Sequence, residues 1–324
     1  MRLSVVVVTH LGGDWLRGCL SALKEQLGPQ DELLTVVSAE PGTADLRDLP
    51  AGEVLDLQAN PRFAAAANAG IERARGKWIL VLNDDTVPAP DFVEALLAAA
   101  TEPGLYQPRI LLADGSGRLD NAGHGLWPDG FNWARGREAP DGPAFEAPGQ
   151  VGACSGAAFL IHREVIARVG AFDADLVAFG EDVDLSLRAR RAGFPLRYVP
   201  QARIEHALGA SHGRYGAEKV FWVERNRIRV ALRSLPAAAV LTLPLWTGAR
   251  LGLLAAARAR GKGWSARVGP EAIPAALKGL AAGVACAPDA LRKRAQDRGE
   301  WALGERAMWG HVWGNRVRWR ELMR

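Results

Sequence analysis

Short apolar runs rich in β-branched residues alternate with amphipathic segments through the first two thirds of the chain. The apolar runs predict strands over residues 4–9, 33–37, 54–57, 78–82 and 152–161. The amphipathic segments predict helices over residues 14–26, 64–74, 91–100, 163–169 and 182–192. This alternation is typical of βαβ units, so it predicts an α/β fold with a largely parallel sheet covered by helices.

Residues 113–150 break this alternation. They are rich in Gly, Pro, Asp and Trp and show no clear hydrophobic period, which predicts a long loop. Loops of this length inside a compact domain usually carry function. We therefore expect the two large aromatic side chains of this loop, Trp127 and Trp133, to contact an acceptor substrate.

The composition narrows the class of protein. Of 324 residues, 48% are hydrophobic and 23% are charged, as in an ordinary globular protein. The three cysteines lie far apart, which argues against a disulfide framework or a cysteine-ligated zinc site and favours a reducing, cytoplasmic compartment. The longest uncharged stretch, residues 234–249, has 16 residues and two prolines, whereas a spanning helix needs roughly 20 apolar residues. We expect no transmembrane helix.

Charge divides the chain into two unequal parts. Residues 1–232 hold 24 Lys and Arg against 30 Asp and Glu, whereas residues 233–324 hold 16 against 6. The second part also carries six of the eleven tryptophans, namely Trp246, Trp264, Trp301, Trp309, Trp313 and Trp319. We therefore predict a catalytic domain at 1–232 and a basic, Trp-rich helical extension at 233–324.

The basic extension allows three interpretations. Cationic residues interleaved with tryptophan suit the headgroup layer of an anionic membrane, and we expect the extension to rest on the inner face of the cytoplasmic membrane. A helical subdomain packed on the catalytic domain, with its arginines solvated, is the second interpretation. Nucleic-acid binding would use the same residue types and is the least favoured.

Two acidic residues follow the fourth predicted strand directly. Ligands of open α/β sheets bind beyond the carboxyl ends of the strands, where Asp84 and Asp85 stand. Carboxylate oxygens at that edge suit Mg²⁺ or Mn²⁺ held together with substrate phosphates. The alternative is that both acids only cap the turn before Pro88.

A second acidic pair, Glu181 and Asp182, stands at the start of the helix predicted over 182–192. The positive end of the helix dipole favours the charged form of a carboxylate there and keeps its pKa low. Such a fixed carboxylate is suited to act as a general base. Helix capping is again the structural alternative.

Five blocks in a fixed order connect these features. The chain reads VVVVTH at the first strand, ANPRFAAAANAG at 59–70, ILVLNDDTVPAPDF at 79–92, a long block at 156–211 that includes FGEDVDLSLRARRAGF and IEHALGAS, and ERNR at 224–227. This order resembles the family 2 glycosyltransferases of bacterial surface-polysaccharide synthesis, particularly the rhamnosyltransferase-like branch. The resemblance covers about residues 3–230.

The resemblance implies a GT-A fold with a mixed, mostly parallel sheet, a nucleotide-diphosphate sugar donor and inversion at the anomeric carbon. It also implies residue roles. Asp85 is similar to the divalent-metal ligand of the DXD-type motif, with His206 near the metal or diphosphate and Asp84 near the donor. Asp182 is similar to the general base, with Glu181 beside it. Arg225 and Arg227 are expected to hold phosphate.

The expected donor contacts depart from the family pattern. Thr9 is followed by His10 where many members have an aromatic residue, and Ser38 stands where an aspartate meets the nucleotide base. Arg62 occupies a position where glycine is common, in the same block as Asn68. We expect Thr9, Ser38, Arg62 and Asn68 to contact the donor. A dTDP-rhamnose donor is implied by the resemblance alone, and uridine or guanosine donors stay open.

The remaining histidines are expected to be structural. His10, His124 and His162 have no partner that the sequence pattern identifies.

Other classes of protein explain fewer of these features. A dinucleotide-dependent oxidoreductase needs G-x-G-x-x-G after the first strand, where this chain has THLGGDW. A nucleotidyltransferase usually has a glycine-rich nucleotide loop near the start, and this chain shows none there. A noncatalytic membrane- or nucleic-acid-binding protein would explain the basic extension but would leave both acidic pairs without a role. A glycan or lipid-linked saccharide is the acceptor class that fits a membrane-resting extension.

Overall fold

The computed structural model describes residues 2–207, 216–262 and 266–323. The strands are β1 Leu3–Thr9, β2 Glu32–Val37, β3 Glu53–Asp56, β4 Trp78–Asn83, β5 Thr86–Pro88, β6 Leu105–Leu112, β7 Leu119–Asn121, β8 His124–Leu126, β9 Asn132–Ala134, β10 Gly149–Gln150, β11 Ala158–His162 and β12 Leu196–His206. The helices are α1 Asp14–Lys24, α2 Arg62–Arg73, α3 Phe92–Ala99, α4 Arg163–Val169, α5 Glu181–Arg191, α6 Ala217–Ser234, α7 Ala237–Leu241, α8 Leu243–Ala259, α9 Ala272–Ala285, α10 Ala287–Asp297, α11 Glu305–Gly314 and α12 Trp319–Leu322.

One mixed sheet organises the first part of the chain. Its strand order is β10-β12-β6-β11-β4-β1-β2-β3, with β5 and β7 pairing at its side. Strand β1 runs parallel to both β2 and β4, and β12 runs parallel to β6. Strand β11 is antiparallel to both of its neighbours and joins the two parallel groups. The expected α/β class and mostly parallel sheet are confirmed.

The sheet is buried on both faces. Val5 and Val7 of β1 pack with α1 and α3, whereas Val6 packs on the opposite face against α2. Alternate residues of a strand point to opposite faces, so a fully buried parallel strand needs a continuous apolar run such as the one in β1. Helix α2 lies very close to the sheet at Gly70, where an added Cβ would fall 2.4 Å from a methyl carbon of Val6.

The prediction of a structureless loop over 113–150 is wrong. That segment contains β7 and β10 of the main sheet, and β8 and β9 pair as a separate two-stranded ribbon. Three-residue strands are too short to display a hydrophobic period, which is why the sequence pattern did not show them. Strand β12 was also missed: alternate residues over much of its length are exposed, which is a strand pattern, but Pro200 interrupts the run.

The C-terminal helices pack on the catalytic part through helix α6. Gly279 and Gly283 of α9 lie so close to α6 that a Cβ at either would approach a backbone oxygen of α6 within 2.8 Å. Salt bridges add to this contact, including Arg229–Asp289, Arg233–Asp297 and Lys293–Asp173. Helix α6 itself spans position 232, so the chain crosses the predicted domain boundary inside a helix. The division at 232 stays a prediction.

A buried ion-pair cluster holds α8 against α6. Arg250 is fully buried, and its guanidinium donates to Glu224 at 2.9 Å and to Asp129 at 2.8 Å. Arg227 pairs with the same two carboxylates. Two arginines thus balance two acids away from water, which is the condition under which buried charges are tolerated.

None of the helices in the described part of the chain has both the length and the apolar character needed to cross a membrane. Trp264, one of the six tryptophans of the extension, lies outside the described residues. The C-terminal end of the 156–211 block, residues 208–211, lies outside them as well.

Candidate active site

The parallel register of β1 and β4 builds the first part of the site. Val8 pairs with Asn83, and the Asp84 amide donates to the Val8 carbonyl at 3.2 Å, so both strands end at the same edge of the sheet. The Thr9 hydroxyl donates to the Asp84 carboxylate. Burial raises the pKa of Asp84 to about 6, an effect that the Thr9 hydrogen bond opposes and the neighbouring Asp85 charge increases. The donor-binding roles of Thr9 and Asp84 stay predictions.

A histidine between two carboxylates lies beside this edge. His206 ends β12, and its Nε2 lies 3.2 Å from Asp85 Oδ1 while its Nδ1 lies 2.9 Å from Asp120 Oδ2. Burial opposes the charge on this imidazole, but the hydrogen bonds to Asp120 and Asp85 outweigh it and raise the pKa of His206 to about 10. In the free protein His206 is therefore an imidazolium at neutral pH. Its contact with Asp85 brings the two predicted metal residues together.

These side chains fit a divalent cation as a two-ligand site. A metal-binding histidine typically donates its second ring N–H to a carboxylate, which is the relation of His206 to Asp120. Within residues 2–207, 216–262 and 266–323, no group of three or more His, Cys, Asp or Glu side chains is placed to hold a metal ion. Mg²⁺ and Mn²⁺ sites in nucleotide enzymes commonly take one or two protein ligands and complete the shell with phosphate oxygens and water.

The second acidic pair lies at the first turn of α5 with opposite ionisation tendencies. Burial raises the pKa of Glu181 to about 8, with repulsion from Asp182 as a further cause, and one Glu181 carboxylate oxygen is buried without a hydrogen-bond partner. Burial acts in the same direction on Asp182. For Asp182, however, a close contact with His124 and two backbone N–H groups outweigh burial and lower the pKa.

Asp182 is held at three points. Its Oδ2 accepts from the Gly156 amide at 2.8 Å, and its Oδ1 accepts from the Val183 amide at the same distance. His124 Nε2 lies 3.6 Å from Asp182 Oδ2. Two neighbouring carboxyl groups with different pKa values can have different roles: the ionised one can act as a base while the other stays neutral. These contacts fix Asp182 and favour its charged form, whereas burial favours the protonated form of Glu181.

Short polar contacts connect the two acidic pairs. His124 contacts Asn121 at 3.4 Å, and Asn121 follows Asp120, the partner of His206. A second connection runs through the backbone, because Gly156 binds Asp182 and the next residue, Ala157, accepts from the Asn83 amide at 3.0 Å. The two pairs are thus connected through consecutive residues of the backbone, Asp120–Asn121 and Gly156–Ala157.

Sequence reasoning missed three residues that lie near the two acidic pairs. Asp120 and His124 stand on β7 and β8, inside the segment that was predicted to be a loop, and His124 was expected to be structural. Arg137 lies 3.7 Å from Asp120, with its guanidinium 5.7 Å over the ring of Trp133. The high density of polar and aromatic residues in 113–150 was the only available signal.

The structure corrects two of the predicted donor contacts. Arg227 is 3% exposed, and Glu224 and Asp129 compensate its charge inside the α6–α8 cluster, so it has no free charge for phosphate. Asn68 exchanges two hydrogen bonds of 2.9 Å with the backbone of Phe172 and therefore ties α2 to the segment before α5. Both residues are structural.

The neighbouring residues of those blocks shape the site indirectly. Asn226 donates to the carbonyls of Leu176, Ala178 and Phe179, and so fixes the loop that leads to Gly180 and the acidic pair. Arg225 donates to the Asp175 carbonyl of the same loop. A phosphate contact by Arg225 stays a prediction.

The other residues that were predicted to contact donor or acceptor lie in two regions. Ser38 and Arg62 lie near the end of β2 and the start of α2, and Trp127 lies after β8. Ser38 follows β2, its amide donates to the Thr9 carbonyl at 2.8 Å, and its hydroxyl contacts Asn60. Arg62 has a φ of 71°, in the left-handed region, which explains why glycine is common at this position. Trp127 is 8% exposed and its indole N–H donates to the Trp246 carbonyl at 3.0 Å. The donor and acceptor roles of these residues stay predictions.

Three features define the class of protein: the mixed sheet, the carboxylates at the end of β4 and the acids at the start of α5. The structure of GalNAc-T7 with UDP, GalNAc and Mn²⁺ superposes with a TM-score of 0.56 at 18% identity, covering 72% of this chain and 48% of that one. This similarity establishes the GT-A fold. The chain belongs to glycosyltransferase family 2, whose sequence model, described as Glycosyl transferase family 2, matches residues 4–170.

Two curated relatives match this chain over different fractions of their length. The protein y4gI of Sinorhizobium fredii is 31% identical over 165 residues, covering 47% of this chain but only 17% of that protein. The N-acetylglucosaminyl-diphospho-decaprenol L-rhamnosyltransferase of Mycobacterium tuberculosis is 28% identical over 245 residues, covering 65% of this chain and 78% of that enzyme. The second match agrees with the rhamnosyltransferase-like branch.

The pKa of Glu181 predicts how stability changes with pH. A carboxyl group whose pKa rises on folding stabilises the folded state below its unfolded pKa of about 4.5, and this stabilisation is lost as pH rises towards 8. We expect Glu181→Gln to match the parent near pH 4.5 and to exceed it in free energy of unfolding at pH 8.5. A tenfold difference in proton affinity corresponds to about 1.4 kcal/mol. Urea unfolding across this range measures the difference, and a pH-independent difference would contradict the assignment.

Proposed function

We propose that this family 2 nucleotide-sugar transferase moves a sugar, with inversion, onto a hydroxyl group of a glycan or lipid-linked saccharide in cell-surface polysaccharide synthesis. The observation that carries the proposal is the presence of two acidic groups with separate partners: Asp85 paired with His206 after β4, and Asp182 held by backbone N–H groups at the start of α5. The mycobacterial relative supports rhamnose as the transferred sugar and a lipid-linked saccharide as acceptor, whereas dTDP as the nucleotide is implied by the resemblance alone.

The proposed reaction is a single displacement. The acceptor hydroxyl loses its proton to Asp182 as its oxygen bonds to the anomeric carbon of the donor sugar. The bond from that carbon to the diphosphate oxygen breaks, and its electron pair leaves with the nucleoside diphosphate. Proton removal by a positioned carboxylate contributes typically about 10²–10⁴-fold to the rate.

The chain's own residues prepare both partners for this step. The backbone N–H groups of Gly156 and Val183 bind the Asp182 carboxylate. They fix its orientation and favour its charged form. Asp85 and His206 would hold Mg²⁺ or Mn²⁺, which when bound neutralises the charge that develops on the leaving diphosphate. Thr9 and Ser38 lie where the nucleotide would cross the strand ends, and Arg62 lies at the start of α2.

The base assignment predicts a large effect from a small substitution. Asp182→Asn keeps the size of the side chain and removes its proton-accepting charge, so we expect sugar transfer to fall by about 10²–10⁴-fold. Donor binding should stay within about twofold, because Asp182 contacts the acceptor side. Asp175→Asn, at a mainly exposed side chain ahead of the same helix, is the matched control. Transfer by Asp182→Asn at the parent rate would refute the assignment.

The metal assignment predicts proton release. A metal ligand must be neutral imidazole, whereas His206 is protonated in the free protein, so Mn²⁺ binding near neutral pH should release about one proton and strengthen as pH rises. Calorimetric Mn²⁺ titrations in buffers of different ionisation enthalpy measure this proton. His206→Asn and Asp85→Asn should each weaken binding about tenfold or more. Binding without proton release, or unaffected by both variants, would show that the site lies elsewhere.

We also propose that the C-terminal region contacts an anionic membrane surface. Ile273, Leu277 and Val284 are 58%, 62% and 63% exposed and share one face of α9, opposite the glycines that pack on α6. Leu241 and Leu245 are 81% and 70% exposed at the junction of α7 and α8. Exposed leucines in a region of excess positive charge are the features of helices that lie in the headgroup layer.

Flotation with vesicles of phosphatidylglycerol and phosphatidylethanolamine tests this surface. We expect the full-length protein to float at low salt, and Ile273→Glu with Leu277→Glu to reduce the bound fraction about tenfold, since two buried apolar contacts are lost. Val54→Glu, at a 46%-exposed valine on the edge strand β3, is the control. A parent protein that stays in the soluble fraction would refute the membrane role.

A further inference from the structure

A cavity of about 460 Å³ lies between the β8–β9 turn and the C-terminal segments. Its walls include four tryptophans from four separate segments: Trp127, Trp246, Trp313 and Trp319. The rings of Trp127 and Trp246 meet edge to face at 5.8 Å, and Trp246 meets Trp313 at 6.3 Å. Its volume is within the range of small-ligand sites, and flat aromatic faces are suited to the apolar faces of sugar rings.

Three arginines of the same cavity form no side-chain ion pair within the described residues, although the backbone N–H of Arg318 donates to the Glu321 carboxylate at 2.6 Å. They are Arg316, Arg318 and Arg320. Two are held over indole rings: Arg316 lies 4.7 Å from the Trp313 centroid and Arg320 lies 5.3 Å from that of Trp319. An indole face holds a guanidinium in place without neutralising its charge.

The cavity arginines differ in their ion pairing from three arginines of α6 and α8. Arg227, Arg233 and Arg250 are each paired with carboxylates at 3.3 Å or less. The cavity therefore concentrates positive charge that the protein itself does not balance. Guanidinium groups recognise phosphate through paired N–H donors, so an anionic phosphate group is the complementary ligand.

The backbone connects the cavity to the proposed base. Leu126 donates to the Asn315 carbonyl at 2.9 Å and accepts from Val317 at 3.0 Å, so the segment before α12 forms a single parallel β-bridge with the end of β8. His124, beside Asp182, stands at the start of β8, and Trp127 follows its end. Three residues of extended chain span roughly 10 Å, about the length of one or two sugar rings.

We propose that this cavity binds the phosphate-bearing end of the acceptor, a saccharide linked to a phosphate or diphosphate group. The tryptophans contact the sugar, the three arginines contact the phosphate, and the hydroxyl to be glycosylated reaches Asp182 through the roughly 10 Å spanned by β8. This inference rests on the proposed transferase function and defines its acceptor class. A free sugar phosphate and a lipid-linked one share the chemistry that the cavity recognises.

Direct binding tests the inference independently of catalysis. The probe is N-acetylglucosamine 1-phosphate, followed by calorimetry and by tryptophan fluorescence on the full chain, with N-acetylglucosamine and farnesyl diphosphate as comparison ligands. We expect the sugar phosphate to bind at least about tenfold more tightly than the uncharged sugar, because the arginines select for phosphate. Tighter binding of farnesyl diphosphate would assign the cavity to a lipid diphosphate and overturn the saccharide contact.

Variants at exposed cavity residues locate the binding. Arg316→Gln with Arg318→Gln should raise the dissociation constant of the probe about tenfold or more, and Trp319→Ala should also raise it. Arg306→Gln, at an exposed arginine of α11 that does not line the cavity, is the matched control. All four substituted positions are exposed, so thermal unfolding should stay close to that of the parent. Unchanged probe binding in the double variant would refute the inference.

Failure of the inference and failure of the proposed function give different results. Probe binding by the double arginine variant tests the cavity, and sugar transfer by Asp182→Asn tests the base, so the two proposals are measured separately. If Asp182→Asn transfers sugar normally while probe binding depends on the arginines, the base assignment fails and the cavity stands. If transfer depends on Asp182 while probe binding ignores the arginines, the cavity assignment fails and the transferase stands.

Discussion

The common carboxyl edge of β1 and β4 is the constraint on which the site depends. Because Val8 pairs with Asn83, the residues that follow each strand meet at one edge, and Thr9 bonds the Asp84 carboxylate there. Strand β12 then brings His206 to the same edge through its pairing with β5 and β6. A one-residue change of register would turn alternate side chains to the other face and separate these groups.

Charge compensation explains how the acidic catalytic part and the basic extension form one molecule. Asp173, Asp289 and Asp297 accept salt bridges that tie the catalytic part and α6 to α10. Buried arginines such as Arg250 have paired acids, since an unpaired buried charge would cost several kcal/mol. The arginines of the described residues without ion pairs include the exposed Arg316, Arg318 and Arg320 near α12.

Hydrogen-bond partners give two equally buried carboxyl groups different chemistry. Glu181 and Asp182 are adjacent in sequence and buried at the same helix start, yet Gly156, Val183 and His124 stabilise the charge of only one of them. The site therefore contains a protonated and an ionised acid side by side. Two of these partners, Gly156 and His124, come from distant segments, whereas Val183 is the next residue along the chain.

The sequence by itself determined the fold class, the family and the positions of both acidic pairs. Long apolar runs such as β1 and β4 admit one interpretation, and the spacing of the blocks around Asp85 and Asp182 is local information. Only the tertiary structure decided that Arg227 and Asn68 are structural, and that Asp120 and His124 belong to the site. Those roles depend on which residues meet across more than fifty positions of sequence, and short strands such as β7 and β8 leave no periodic signal from which such contacts could be inferred.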